Sequence, residues 1–212
     1  MTKKEKAETA VKALEKRYPD AICSLVASAP HELLIATRLS AQCTDARVNI
    51  VTKPLFEKYK TVEDFANADV SDIENIIRSC GLYKTKARDV KLMCEQMIEF
   101  FDGKVPDSIE KLTTLSGIGR KTANLIMGDV YKQPAVVTDT HLIRISNRLG
   151  LVDTKDPYKV EMALKKILPP KKSSDFCHRI VHFGRDVCTA RSPKCSICEL
   201  KYICKEYKNL DK

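Results

Sequence analysis

A lysine and an aspartate are the side chains of this sequence whose positions most favour covalent chemistry. Lys121 follows the segment Leu-Ser-Gly-Ile-Gly-Arg (115–120), and Asp139 stands 18 positions later, directly before Thr140. An amine without its proton is a nucleophile that forms a Schiff base. A carboxylate can stabilise positive charge that develops nearby, or move protons. The pair therefore points to covalent catalysis, provided that the fold presents both groups.

Lys121 occupies an unusual place for a positive charge. Gly117 and Gly119 separate two segments with helical apolar spacing, which predicts a helix, a tight turn and a second helix that begins next to Lys121. The free N–H groups at a helix start bind phosphate, and the helix dipole disfavours an ammonium there. Two interpretations remain open. Lys121 points outward and binds a phosphate, or the dipole and Arg120 favour the neutral amine, which attacks C1′ of a sugar.

Details of the turn can also be predicted. Asp107 and Glu110, three residues apart after Pro106, predict a capping box at the start of the first helix. Both glycines lack a Cβ, so we expect Gly117 and Gly119 to take positive φ and to admit a close neighbour.

Asp139 has a structural interpretation as well. It precedes Thr140 at the start of a predicted helix that carries Leu142, Ile145 and Leu149. Aspartate is a favoured N-cap residue because its carboxylate accepts backbone N–H groups. The two interpretations are compatible, since a cap fixes the side chain.

Four cysteines near the C-terminus form a compact ligand set. Cys188, Cys195, Cys198 and Cys204 follow the pattern C-x6-C-x2-C-x5-C. Four thiolates in so short a segment can bind tetrahedral zinc or a [4Fe–4S] cluster, and the spacing does not choose between them. The single C-x2-C pair mildly favours the cluster. The other cysteines are predicted to be small buried hydrophobic residues: Cys23, Cys43, Cys80, Cys94 and Cys177.

The net charge of +9 is concentrated in the last third of the chain. Residues 1–140 contain 21 Lys and Arg against 20 Asp and Glu, whereas residues 141–212 contain 16 against 8. Arg191 and Lys194 lie between the first two clustered cysteines, where a bound metal would hold them in shape for phosphate contact. The asymmetry favours a nucleic acid partner. Charge alone would not exclude a solvated basic face.

Composition and periodicity favour an all-α protein of the cytoplasm. Of the 212 residues, 43% are hydrophobic, enough for a sizeable core, and no apolar run approaches the roughly 18 residues of a membrane span. No secretory signal follows the charged N-terminus. Only residues 135–138 form a β-branched run, which is too short for a sheet. Helices are predicted over 1–19, 33–41, 51–59, from Thr61, from 71 to near 81, over 87–101, and from 139–149, 160–167 and 176–183.

Together, five segments resemble one known family. Residues 115–124, Asp139-Thr-His141 and the four-cysteine tail, with 39–45 and 81–87, resemble endonuclease III, a helix-hairpin-helix DNA glycosylase. The similarity extends from about residue 30 to residue 204. It implies a six-helix domain over 23–132, with the helix-hairpin-helix motif at about 108–130. It also implies a [4Fe–4S] cluster domain formed by both termini, 1–22 and 133–212.

The resemblance also implies an activity and roles for individual residues. We expect a bifunctional base-excision glycosylase that removes oxidised or ring-saturated pyrimidines from damaged double-stranded DNA and then cleaves the strand by β-elimination. Lys121 would be the nucleophile, Asp139 the essential carboxylate, and the four cysteines the cluster ligands. Gln42 would fill the space left by the flipped nucleotide, and Leu82 would insert into the opposite strand. The expected DNA contacts are Gln42, Leu82, Gly117, Gly119, Arg120, His141, Arg191 and Lys194.

Two alternatives stand beside this expectation. Adenine-mismatch glycosylases resemble the family in hairpin, aspartate and cluster but lack the lysine, and a non-enzymatic iron–sulfur DNA-binding module would bind without cutting. Three residues depart from the family pattern: Ser116 replaces a common proline, Cys43 a usual alanine, and Thr138 an apolar residue. We expect Ser116 only to loosen the hairpin. We also expect a monomer that does not bind membranes and that acts at the nucleoid.

Overall fold

A computed structural model describes residues 1–210, which form twelve α-helices, short 3-10 turns and no β-strand. The predicted all-α fold is confirmed, and residues 135–138 are a buried connector without regular structure. No helix in this part of the chain is both long and apolar enough to cross a membrane. The helices are α1 (Lys3–Arg17), α2 (Pro30–Leu39), α3 (Asp45–Lys58), α4 (Val62–Asn67), α5 (Val70–Ile77), α6 (Tyr83–Phe101), α7 (Ile109–Leu112), α8 (Arg120–Asp129), α9 (Thr140–Leu149), α10 (Pro157–Lys165), α11 (Ser173–Asp186) and α12 (Lys205–Leu210).

The backbone divides into two compact units. One unit is Cys23–Tyr131, and the other combines Met1–Ile22 with the segment from Lys132 onward. Both units have apolar cores.

The long helix α6 organises the unit Cys23–Tyr131. It packs against α2, α4 and α5, while α8 packs against α2 and the single-turn α7. Its buried stripe contains Ala87, Val90, Met93, Cys94 and Met97, as the periodicity predicts, but Ile98 and Phe101, which continue the same period, are exposed and partly exposed. The helix ends at Asp102 and Gly103, which both take positive φ. This helix therefore provides the frame that holds the neighbouring loops.

Two predictions of helix starts in this unit need correction. Helix α3 begins at Asp45 and not near Val51, because Thr44 caps it and its polar first turn hides the apolar period. The cap of α7 is Ser108, whose hydroxyl accepts the N–H of Lys111, so the predicted capping box with Asp107 is wrong.

The prediction for the five remaining cysteines is only partly right. Three of them are buried, whereas Cys23 and Cys43 are partly exposed. Both partly exposed residues lie outside helices, and Cys43 still packs against the core of this unit.

The second unit is built around α1, α9 and α11. Helix α11 packs against α1 and α9, and α12 packs against α9. The backbone oxygen of Tyr18, at the end of α1, accepts a hydrogen bond of 3.1 Å from the Arg179 guanidinium, and Arg17 pairs with Asp186 at 3.1 Å. These contacts tie the N-terminal helix to the C-terminal half of the chain within this unit.

The turn between α7 and α8 depends on one glycine. Gly117 has φ of +72°, and a Cβ built on it would lie 2.4 Å from Nε of Arg38 and 2.9 Å from Oδ2 of Asp89. Gly119 differs from the prediction, because its φ is −99° and a Cβ added there would meet no atom within 4 Å. Only the first glycine is therefore required by backbone conformation and packing.

Ser116 fastens this turn to α6. Its backbone N–H donates to Oε1 of Gln96 at 2.7 Å, and its hydroxyl donates to Oδ1 of Asp89 at 3.0 Å. The other oxygen of Asp89 accepts a hydrogen bond of 2.8 Å from Nε of Arg38, on α2. A proline could not make the first bond because it has no N–H. The expectation that serine only loosens the hairpin is therefore wrong.

The two glycines provide a matched test of this turn. Gly117→Ala should lower the free energy of unfolding by about 2–4 kcal/mol, since it adds left-handed strain and a clash with the Arg38–Asp89 pair. Gly119→Ala should lower it by less than about 1 kcal/mol, because its conformation is open to any residue. Denaturant unfolding followed by circular dichroism measures both values. Equal losses in the two variants would contradict this account.

Candidate active site and metal centre

Lys121 lies in the first turn of α8, as predicted, and its side chain is exposed. The N-cap is Gly119, and no side chain caps the helix. The first turn therefore begins without a side-chain acceptor at the N-cap position. Half-buried Arg120 precedes the lysine, and its backbone oxygen accepts a 3.1 Å hydrogen bond from the Asn124 amide. The helix start therefore combines an anion-binding backbone with an accessible amine.

Asp139 is the N-cap of α9, as predicted. Its Oδ1 accepts the N–H of Leu142 at 2.7 Å, and its side chain remains partly exposed. The cap holds the carboxylate at the helix start, while the second oxygen is left for other contacts. Lys121 belongs to the unit Cys23–Tyr131, and Asp139 belongs to the other unit. The two predicted catalytic groups thus come from different units of the chain.

Gln42 and Leu82 share two properties: exposure, which agrees with the roles that the resemblance implies, and a backbone conformation that sequence reasoning did not predict. Both side chains are exposed, Leu82 to 57% of its surface. Both residues take positive φ, +55° for Gln42 and +47° for Leu82, which is uncommon for residues with a Cβ. Such strain persists only where the surroundings hold the backbone, and it gathers at ligand-binding sites. Neither residue is Asn or Gly, the types that usually take positive φ, so the sequence did not reveal the backbone conformation.

His141 lies near the start of α9 and contacts α11. A Cβ at Gly184 would lie 2.3 Å from Nδ1 of His141, so the glycine makes room for the imidazole ring. Nη2 of Arg144 lies 3.2 Å from the same Nδ1 and donates to the backbone oxygen of Cys188 at 2.9 Å. The half-buried histidine is therefore fixed beside the first cysteine of the ligand set.

The four clustered cysteines line one cavity. Their neighbours in its wall are mainly apolar, including Leu149, Phe183 and Val187. Among the described residues, no three cysteine, histidine or carboxylate side chains converge as they would around a single metal ion. A [4Fe–4S] cluster requires less convergence, since each iron takes one thiolate. The donor set and the apolar walls therefore fit a cluster.

Arg148 is a residue of this centre that sequence reasoning missed. Its Nη1 lies 3.4 Å from Sγ of Cys188 and donates to the backbone oxygen of Thr189 at 2.7 Å. Its Nη2 donates to the oxygen of Ala190 at 3.0 Å, and its own backbone oxygen lies 3.3 Å from Sγ of Cys204. An arginine between buried Ile145 and Leu149 on α9 was the available signal. Arg148 thus connects the helix to both ends of the ligand set.

Burial also affects protonation in this cavity. It raises the pKa of the Cys198 thiol to about 11, and burial raises the pKa of Cys188 while the Arg148 guanidinium opposes that shift. Metal ligands must lose their protons, so cluster assembly releases protons and is weakened at low pH.

Arg191 and Lys194 lie exposed in the loop between Cys188 and Cys195. The backbone N–H of Lys194 donates to the oxygen of Val187 at 2.9 Å, which closes the loop. The structure therefore places both predicted phosphate contacts on a closed loop beside the cavity, in the same unit as Asp139 and His141.

Comparison with protein families gives two matches. Residues 35–170 match the HhH-GPD superfamily of base excision DNA repair proteins. Residues 188–204, which run from the first to the last clustered cysteine, match the iron–sulfur binding domain of endonuclease III. The second match resolves the choice between zinc and iron in favour of the [4Fe–4S] cluster.

Individual relatives agree with the family matches. The endonuclease III of Synechocystis is 43% identical over 204 residues, which cover 96% of this chain and 93% of the relative. That of Bacillus subtilis is 43% identical over 196 residues, with 92% and 90% covered. A solved structure of a trapped covalent endonuclease III–DNA intermediate is 43% identical, with a TM-score of 0.92 and complete coverage of both chains. A thermostable thymine-DNA glycosylase at 23% identity, with a TM-score of 0.87, shares the fold.

Arg148→Met tests the support of the metal centre. The variant keeps an apolar stem but loses the bonds to Thr189 and Ala190, so the cluster should be lost several times faster to an iron chelator. Visible absorption and iron content per protein measure the loss. Arg191→Met removes the same charge from an exposed position of the loop and should retain iron like the unaltered protein. Equal retention in the two variants would show that Arg148 does not support the cluster.

Proposed function

The chain belongs to the endonuclease III family of the HhH-GPD superfamily, and from this membership we propose how its own residues carry out the reaction. The protein is a bifunctional base-excision DNA glycosylase with lyase activity, and it contains a [4Fe–4S] cluster. We propose that it acts on oxidised or ring-saturated pyrimidines in duplex DNA. The observation that carries the proposal is the exposed amine of Lys121 at the uncapped start of α8.

Binding begins with the phosphate backbone. The N–H groups at the start of α8 and the basic side chains of Arg120, Arg191 and Lys194 contact phosphates, so affinity falls as salt rises. The damaged nucleotide then leaves the stack, which costs less where pairing is already impaired. Gln42 fills the vacated space, Leu82 enters the opposite strand, and the exposure of both side chains supports these roles.

The chemistry has two steps. The neutral Nζ of Lys121 attacks C1′ as the N-glycosidic bond breaks, and Asp139 stabilises the positive charge that develops on the sugar. The adduct then opens the sugar ring: the C1′–O4′ bond breaks, O4′ takes a proton, and C1′ and Nζ are left joined as an imine that acidifies C2′. Loss of a C2′ proton then expels the 3′ phosphate, which breaks the strand by β-elimination, and water releases Lys121. Cys188, Cys195, Cys198 and Cys204 would hold the cluster, which would fix the shape of the basic loop between the first two of them.

The alternatives predict different products. An adenine-mismatch glycosylase would leave the strand intact, and a non-enzymatic module would leave the base in place. The presence of Lys121 and the match to endonuclease III relatives along more than nine-tenths of the chain support the bifunctional reaction. We further propose that the protein acts as a monomer at the nucleoid in the cytoplasm.

Lys121→Gln removes the proposed nucleophile. It should lower strand cleavage of a thymine-glycol duplex by roughly 10³-fold or more and abolish the adduct that borohydride traps. Lys111→Gln removes the same charge from α7 of the same hairpin, and it should still form the adduct. Single-turnover gels with a borohydride arm measure both variants. An undiminished adduct with Lys121→Gln would overturn the assignment.

Two variants of Asp139 distinguish its proposed role in catalysis from its role as a helix cap. Asparagine caps a helix about as well as aspartate, so Asp139→Asn should change the free energy of unfolding by less than about 1 kcal/mol. It should still lower base excision by about 10²–10⁴-fold, because the negative charge is gone.

Asp139→Ala is the companion variant, since it loses the cap as well as the carboxylate. It should lower the free energy of unfolding by about 1 kcal/mol, with a loss of activity like that of Asp139→Asn. Thermal unfolding and single-turnover excision measure the two properties. Activity that follows stability in both variants would indicate a structural role alone.

A further inference from the structure

A lysine of α6 is completely buried. Lys86 has no exposed surface, and its Nζ donates to the backbone oxygen of Leu39 at 2.8 Å and of Cys80 at 2.7 Å. Burying an ammonium is unfavourable unless it is bonded, and burial lowers the pKa of Lys86. A buried lysine retained on the apolar stripe of a helix calls for an explanation. The position was visible in the sequence, since Lys86 lies four residues before Val90 on that stripe.

The two acceptors lie at the bases of the two loops proposed to enter DNA. Leu39 is the last residue of α2, three positions before Gln42. Cys80 ends the 3-10 turn that precedes Gly81 and Leu82. One ammonium therefore bonds to the chain just before each exposed positive-φ residue. All five residues belong to the same unit.

We propose that Lys86 is a positioning residue that holds the Gln42 and Leu82 loops in the shape that enters the duplex. The inference rests on the proposed function of these two side chains. Its physical basis is preorganisation: a loop that is ordered on folding loses less entropy when it binds. The strained backbone at both residues requires such a support, and the ammonium provides it for both loops at once.

Lys91 provides a matched control on the same helix. Its Nζ donates to the backbone oxygens of Ala66 and Ala68, at 2.6 and 3.0 Å, where α4 leads into α5. Neither acceptor adjoins a proposed DNA contact. Lys86→Met and Lys91→Met therefore each remove an ammonium from two carbonyl groups, and both should lower the melting temperature. Only Lys86→Met should change the ratio of the excision rates on paired and unpaired DNA.

The test compares two duplexes under single-turnover conditions. In one, thymine glycol lies opposite adenine; in the other, it lies opposite an abasic analogue, where no opposing base needs displacement. Lys86→Met should lower the excision rate roughly 10–100-fold on the duplex with adenine opposite the lesion, since small displacements of positioning groups have effects of this size. On the duplex with the abasic analogue the rate should fall much less. Lys91→Met should keep the unaltered ratio of the two rates. Equal losses on both duplexes with Lys86→Met would overturn the inference.

Leu82→Ala distinguishes failure of the inference from failure of the proposed function. It should raise the ratio of unpaired to paired excision rates, like Lys86→Met. If Leu82→Ala changes the ratio and Lys86→Met does not, only the role of Lys86 is wrong. If Leu82→Ala leaves the ratio unchanged, the proposed role of the loop fails, and the inference fails with it.

Hydrogen exchange on the unaltered holoprotein gives a test that needs no substituted protein. Without DNA, the amides of residues 39–43 and 80–83 should exchange slowly. One of them, the N–H of Cys43, already donates to the oxygen of Ser40 at 3.0 Å. Exchange at the rate of an unstructured peptide, with protection only after DNA is added, would contradict preorganisation by Lys86.

Discussion

The close approach of the Arg38–Asp89 pair to Gly117 is the contact on which the active site depends. It joins α2, α6 and the hairpin turn, and Ser116 adds two further bonds to α6. Because residue 117 has no Cβ, the turn can lie against the ion pair, and α8 begins just beyond the turn at a fixed place. The position of Lys121 thus follows from the packing of Gly117 against the Arg38–Asp89 pair and not from contacts of its own exposed side chain.

The same principle extends to the other functional residues. Buried or partly buried cations bind backbone oxygens close to these residues. Lys86 binds the chain just before Gln42 and Leu82, and Arg148 binds the chain next to Cys188. Arg144 fixes the surroundings of His141 in the same way. Rigid supports keep the reactive and DNA-contacting side chains near one geometry, so less ordering is left for the moment of binding.

The sequence predicted the features that arise from local rules. The apolar period of α6, the start of a helix after Thr61, the cap at Asp139 and the positive φ of Gly117 all follow from periodicity or from a residue type. Prediction from the sequence failed where residues far apart along the chain determine the local structure. Ser116 looked like a loosened turn because its partners, Gln96 and Asp89, lie on another helix. The strain at Gln42 and Leu82 was hidden for the same reason, and Ser108 displaced Asp107 as a cap because both residue types are suitable.

The proposed reaction requires that the amine of Lys121 and no other becomes attached to DNA, and the attachment site can be mapped. The borohydride-reduced complex of the unaltered protein with a thymine-glycol duplex can be digested with protease and nuclease and sequenced by mass spectrometry. We predict a reduced sugar fragment on Nζ of Lys121. A fragment on the N-terminal amine or on any other lysine would contradict the account.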